Sequence, residues 1–186
     1  NDLAGKRIGV RSYSQTTGVW MRGILQNDYA VDLSGVTWVT FEDGHVAEAK
    51  EPAGVVRADA GKDITQMLLD GELDAAIYGA AMPKDARLKS VVADPDGEAR
   101  VWYAKHHLVP VNHMVVVTDK LARANPDAVA ELYRLLEASK KAAGPSGPID
   151  AAPFGKEANR PCLELLISYA VQQQQIPRAL SVDDLW

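Results

Sequence analysis

Apolar residues along this chain fall alternately into short runs and into helical stripes, with polar turns between them. Ile8, Gly9 and Val10 make a brief apolar run that leads into the polar turn Ser12-Tyr13-Ser14-Gln15-Thr16-Thr17. Beyond it Val19, Trp20, Ile24 and Leu25 recur at near-helical spacing, so a helix is expected with Thr16 as its N-cap. Asn27-Asp28 ends that helix, and Val36-Thr37-Trp38-Val39-Thr40-Phe41, rich in β-branched and aromatic residues, predicts a second strand. Residues 42–60, punctuated by Gly44, Pro52 and Gly54, read as a loop. Ile64, Met67 and Leu68 stand at i, i+3 and i+4 and predict a short helix over 61–70, stopped by Gly71. Asp74-Ala75-Ala76-Ile77-Tyr78 predicts a buried strand. The small-residue turn Gly79-Ala80-Ala81-Met82-Pro83 follows, where backbone can approach a ligand closely.

The second half continues the alternation. Asp94-Pro95 pairs an N-cap with a first-turn proline, and Ala99, Trp102, Tyr103 and His106 extend a helical stripe to about His107. Leu108-Val109-Pro110 breaks it, and His113-Met114-Val115-Val116-Val117-Thr118 is the strongest buried-strand signal in the chain. Asn125-Pro126 opens an amphipathic helix carrying Val129, Leu132, Tyr133 and Leu136 on one side. Residues 142–153, with Gly144-Pro145-Ser146-Gly147-Pro148, predict a flexible surface connection, and a last helix starts near Glu157 or Cys162 and runs to Gln175. Strands alternating with helices predict an α/β protein with an at least partly parallel sheet.

Composition narrows the partners. The 186 residues carry a net charge of -5, with 20 basic residues scattered among 25 acidic ones and no Lys/Arg run, so nothing recommends nucleic acid or an anionic membrane. No apolar run approaches a membrane span. Cys162 is the sole cysteine, which rules out an internal disulfide and suits a small core residue. The chain opens Asn1-Asp2-Leu3-Ala4-Gly5-Lys6 without an initiator Met or a signal-like apolar segment, and the expectation is that a cleaved leader or a longer N-terminal segment precedes it.

The chemistry of the chain concentrates at residues 7–25. A strand running through a polar turn into a helix points unpaired N–H groups and the positive end of the helix dipole at whatever lies above the strand's C-terminal end. Open α/β sheets bind ligands there. An ordinary βα turn whose hydroxyls merely cap the helix fits the same residues equally well. Dinucleotide, P-loop, nucleophile-elbow and zincin motifs are all absent. His106 and His107 are adjacent and point apart, which is poor geometry for a shared metal. His113 opens the apolar strand after Pro110, as either a satisfied core histidine or a general acid. Arg22 fits a carboxylate clamp or, more commonly for a helical Arg, a salt bridge. Trp20 and Trp38 fit a core better than a ligand-stacking role.

Several separated segments resemble one family, the 4,5-dihydroxyphthalate decarboxylases, which in turn resemble type II periplasmic substrate-binding proteins. Gly5-Lys6-Arg7-Ile8-Gly9-Val10 looks like the strand that opens the second lobe of such proteins. Tyr13, Thr16 and Val19-Trp20 with Arg22-Gly23 and Leu25 resemble the family's tyrosine, threonine and Val-Trp-x-Arg-Gly helix. Met67-Leu68 with Gly71-Glu72-Leu73-Asp74-Ala75, and Tyr103 with Pro110, His113 and Val115-Val116, resemble further family segments. The most specific match is the tail, where Phe154-Gly155, Glu157-Ala158-Asn159-Arg160, Leu163, Tyr169, Gln173 and Pro177-Arg178 resemble a Tyr-Gly-x-Glu-Ala-Asn-Arg segment and a C-terminal helix. Departures are Phe41-Glu42-Asp43 in place of a glycine-rich turn, Gln174 where glycine is usual, and Pro161 after Asn159-Arg160.

The resemblance implies a type II binding-protein-like lobe with a mixed, mostly parallel sheet. Residues 1–112 would form a second, ligand-binding lobe, and 113–186 a return strand and C-terminal helices belonging to a first lobe whose N-terminal part is missing. It implies non-oxidative decarboxylation of a hydroxylated aromatic dicarboxylate by a cytoplasmic carboxy-lyase, with a periplasmic transport binding protein for an anionic or aromatic ligand as the alternative. His113 is the expected acid. Tyr13, Ser14, Thr16, Thr17, Trp20, Arg22, Gly79, Ala80, Asn159 and Arg160 are the expected substrate contacts. No cofactor is expected. A metal is left open, since Glu98, Glu157 and His113 are conceivable ligands whose spacing carries no geometry. Homo-oligomerisation is also left open.

Overall fold

The computed structural model describes residues 3–44, 46, 50–79, 82–145 and 147–185. They divide into two compact units. One comprises Asn1–Val101 with Glu164–Trp186, and the other Trp102–Leu163.

The first unit is built on four strands, β1 (Arg7–Val10), β2 (Thr37–Thr40), β3 (Val55–Arg57) and β4 (Ala75–Ile77), in the order β3-β2-β1-β4 and all parallel. The α/β expectation holds, and every described strand pair is parallel rather than mixed. Helices α1 (Thr16–Asn27) and α2 (Ile64–Leu69) pack on opposite faces, as the alternation along β1 shows. Ile8 and Val10 join Tyr13, Leu33, Val36 and Trp38 in one buried cluster. Gly9, pointing the other way, meets Leu73 and Ile64, which belong with Val39 and Met67 in a second cluster. A sheet covered on both faces needs strands apolar at consecutive positions, and Trp38-Val39 serves one face each.

Strand β3 lies inside the stretch read as a loop. It is three residues at an open edge, half-exposed to exposed, too short for any periodicity to register. The first-helix cap also differs from expectation: Gln15 is the N-cap, Thr16 is already helical, and no side chain caps the first amides. Asp63 does cap α2, its carboxylate accepting from the Gln66 amide at 2.9 Å.

The second unit contains the end of α3 (Pro95–His106), all of α4 (Asp119–Ala124) and α5 (Pro126–Ala143), and the start of α6 (Lys156–Gln172), which accommodates Pro161 in its second turn. Thr118 caps α4 by accepting from the Leu121 amide, and Pro126 sits in the first turn of α5 as its sequence predicts. The strand expected over His113 to Thr118 does not form. These residues carry no secondary structure, and Val115 and Val116 are 68% and 83% exposed. The physical reason is that a strand is made by its neighbours' hydrogen bonds, and no described strand of this unit stands beside it.

Candidate functional site

The chain lays down β1, β2 and β3 in one direction across the sheet, then crosses to the other side of β1 for β4. The order therefore reverses between β1 and β4, and in open α/β sheets such a switch point is where ligands bind. The turn after β1 (residues 11–15) and Gly79 after β4 stand at that point. Gly79 approaches the turn so closely that a β-carbon there would overlap the Gln15 amide, with Thr17 Oγ1 3.7 Å away. The close neighbour of the Gly79 backbone is thus Gln15. Ala80 lies outside the described residues. From the loop after β2, Gly44 comes alongside Ser14, whose Oγ is 3.4 Å from the position of a β-carbon. Ser14 Oγ in turn shares a 3.2 Å hydrogen bond with the fully buried Ser12.

Above this turn the N-terminus of α1 is chemically unspent. It has no side-chain cap and no acidic residue in its first turn, whereas α3, α4, α5 and α6 each carry at least one. Gln15 Oε1 is buried with no hydrogen-bond partner. Ser14, Thr16 and Thr17 are half-buried at the same place and supply hydroxyls.

Arg22 lies beneath. It is 1% exposed, the most deeply buried charged residue named in the core. Its Nε donates to Gln173 Oε1 at 2.7 Å and its Nη2 to the Tyr13 carbonyl at 2.6 Å, while the guanidinium lies 3.9 Å from the Tyr13 ring centre and 5.1 Å from that of Trp38. Nη1, beside Gly18 in the first turn of α1, has no partner. None of these contacts is a carboxylate. Burial lowers the Arg22 pKa to about 10, opposed by Tyr13, so the group stays charged at neutral pH. Burial likewise raises the Tyr13 hydroxyl against the pull of Arg22, and it stays a phenol.

The tail holds this arrangement. Gln173 Nε2 donates to the Val19 carbonyl at 2.9 Å, and Gln175 Nε2 reaches the Tyr13 carbonyl at 3.3 Å. Tyr169 packs edge-on to Trp20 at 5.7 Å over Gly23, where any side chain would overlap its ring. Trp20 and Trp38 are both core rings. The sequence assigns no role to Gln15, Gln173 or Gln175. No local pattern announces a bond between positions 22 and 173.

The remaining expected residues belong to the second unit. His113 is exposed. Asn159 Nδ2 donates to the Pro153 and Gly155 carbonyls at 2.7 and 2.9 Å, which ties the turn leading into α6. Arg160 pairs with Glu157 through Nε and Nη2 at 2.8 and 2.7 Å. His106 stacks on Trp102 at 4.5 Å one turn earlier, and His107 leaves the helix at φ 54°. Burial pushes the Cys162 thiol up, away from thiolate chemistry. Among the described residues, no three His, Cys, Asp or Glu side chains gather as a metal site.

Two bacterial enzymes align with the chain. One from Comamonas testosteroni, named 4,5-dihydroxyphthalate decarboxylase, is 36% identical over 154 residues, covering 76% of this chain and 46% of that enzyme. Another of the same name from Pseudomonas putida is 38% identical over 114 residues, covering 55% and 44% respectively. The chain is related to the 4,5-dihydroxyphthalate decarboxylases. The matched region takes in 46% and 44% of the two relatives, so the chain spans about half the length of either. No protein-family model matches it. Among the described residues no helix is long and apolar enough to cross a membrane.

Proposed function

We propose that this chain carries part of the substrate site of a cytoplasmic, non-oxidative decarboxylase for a hydroxylated aromatic dicarboxylate such as 4,5-dihydroxyphthalate. The observation that carries the reading is a buried guanidinium, Arg22, without a carboxylate partner among the described residues and set under an uncapped helix N-terminus at the sheet's switch point. A buried cation facing the positive end of a helix dipole is costly alone and is offset by an anion bound above it. A substrate carboxylate supplies that anion, taking hydrogen bonds from the first amides of α1 and the hydroxyls of Thr16 and Thr17. A ring hydroxyl then donates to Gln15 Oε1. The kinship with two enzymes of matching name supports the choice of dicarboxylate.

Decarboxylation of such a ring makes two demands. A proton must reach the ring carbon that bears the carboxylate, helped by electron push from a para-phenolate. The carbon–carbon bond then breaks, its electron pair restores aromaticity, and CO₂ leaves with a dihydroxybenzoate as product. His113 is assigned as the acid, since a histidine side chain can carry and pass on a proton. Residues 1–112 act in this reading as the ligand-binding lobe of a two-lobed, binding-protein-like molecule, and 113–186 as the return segment and helices of the other lobe.

Titrating 4,5-dihydroxyphthalate into the protein, with intrinsic tryptophan fluorescence and released CO₂ as paired readouts, tests this. Binding with CO₂ release is expected. The Arg22→Met variant, checked for fold by circular dichroism, should bind about tenfold more weakly, or ~1.4 kcal/mol. His113→Ala should bind normally and slow CO₂ release about 10²-fold or more. Tight binding without CO₂ would overturn the enzyme reading, and equal affinity for catechol, which lacks carboxylates, would overturn the anion site.

A further inference from the structure

Gln173 stands one residue beyond α6, and the turn that follows it fixes where its side chain goes. The Gln174 amide donates to the Val171 carbonyl and the Gln175 amide to the Ala170 carbonyl, each at 2.9 Å, with Gln174 at φ 57°. This is the Schellman closure of a helix, with its left-handed residue one place past the cap. Both flanking glutamines then reach one place. Gln175 binds the Tyr13 carbonyl, and Gln173 binds the guanidinium that donates to that same carbonyl.

Only one orientation of the Gln173 amide satisfies its neighbours. Nε2 donates to the Val19 carbonyl at 2.9 Å, which turns Oε1 toward Arg22 Nε at 2.7 Å. The reverse orientation would set donor against donor and oxygen against oxygen. Both side chains are buried, so the bond is closed off from water. A buried guanidinium is ordinarily paired with an acid. Here its acceptors are an amide oxygen and a backbone carbonyl, and neither cancels its charge. Nη1 has no partner and lies 3.0 Å from the β-carbon position of Gly18, in the first turn of α1.

We infer that Gln173 sets the charge selectivity of the site: it holds Arg22 in place with a neutral acceptor, so that the α1 N-terminus takes an anion in preference to an uncharged ligand of the same shape. Gln173 is a positioning residue, since it acts through Arg22. The inference rests on the anion site proposed above and names what makes that site select a carboxylate. A glutamate of nearly the same shape would accept the same bond from Arg22 Nε and cancel its charge. An anion bound at the helix would then lose its buried counter-charge.

Phthalate and its uncharged diamide, phthalamide, are the probes. Neither carries the ring hydroxyl whose electron push decarboxylation needs, so both bind without reacting. Titration calorimetry at about pH 8, where a glutamate beside a guanidinium is ionised, gives the ratio of their affinities. The unaltered chain should prefer phthalate by about tenfold or more, and Gln173→Glu, with native circular dichroism, should lower that preference about tenfold. Gln173→Met loses both hydrogen bonds and adds no charge, so it should weaken the two ligands alike and keep their ratio within about twofold. A purely structural role would move both ligands together, so the ratio reads charge. Gln175→Glu puts a carboxylate at the Tyr13 carbonyl that Arg22 also reaches and should lower the preference about threefold. It carries the test where Gln173→Glu does not fold. An unchanged ratio in the folded glutamate variant, or a ratio that falls as far in Gln173→Met, would overturn the inference and leave the anion site standing. No preference for phthalate in the unaltered chain would overturn the anion site and the inference with it.

Discussion

Thr37-Trp38-Val39-Thr40 and Met114-Val115-Val116-Val117 both read as strands in the sequence, the second the more strongly, and they meet opposite fates. The first is β2, held between β1 and β3 with Trp38 at 5% and Val39 at 1% exposure. The second is exposed and unpaired. A strand's apolar residues are buried only if a neighbouring strand satisfies its backbone and helices cover its faces. The sheet-bearing unit has both kinds of partner within its own residues. The unit of residues 102–163 has helices but no described strand.

Truncation should break this symmetry of sequence most clearly. Trp38→Ala removes a ring from the main cluster, and urea unfolding should show a loss of about 3–5 kcal/mol. Leu132→Ala removes a comparable apolar group from exposed α5, and the same titration should move by no more than about 0.5 kcal/mol. Near-equal losses would mean that the second unit has a core of its own.

A smaller effect should come from the N-terminal edge of the sheet. The Asp74 carboxylate accepts from the Arg7 amide and the Lys6 ammonium, each at 2.9 Å, and these bonds hold its pKa below the usual 3.8. The folded value is depressed, so its contribution to stability is present above pH 3.8 and is lost as pH falls through the lower folded value. Asp74→Asn should therefore flatten the acid-side decline of the urea midpoint measured from pH 6 down to 3. An unchanged decline would show that the bond does not tie β4 to β1.

The smallest expected change is at Tyr169. Its hydroxyl is buried without a partner, and burial pushes its pKa up to about 12. Tyr169→Phe keeps the ring on Trp20 and Gly23 and deletes an unsatisfied group, so thermal unfolding should shift upward by the equivalent of about 1 kcal/mol or less. A clear loss of stability would reveal a partner for that hydroxyl.

Much of the sheet-bearing unit is legible in the sequence. Strands β1, β2 and β4 and helices α1 and α2 lie within a few residues of where apolar period and turn residues put them. β3 was not legible, because three edge residues carry no period. The junction of residues 7–25 was legible as a strand-turn-helix, but its cap was misplaced by one residue, since Gln15 rather than a hydroxyl residue precedes the helix. Asn159 and Arg160, expected substrate contacts, make hydrogen bonds that include those to Pro153, Gly155 and Glu157, partners that the sequence pattern does not announce.

By itself the sequence determined the alternation of strands and helices, the polar turn after the first strand, and the kinship with the decarboxylases. Those features depend on neighbours within a few positions or on residue identity along the chain. Only the tertiary structure decided the strand order that places a switch point between β1 and β4. It also decided the inward turn of Arg22 toward Gln173, 151 positions away, and the exposure of residues 113–118. Strand pairing and the burial of charge depend on groups distant in sequence, and a local pattern states what a segment can become without stating what stands beside it.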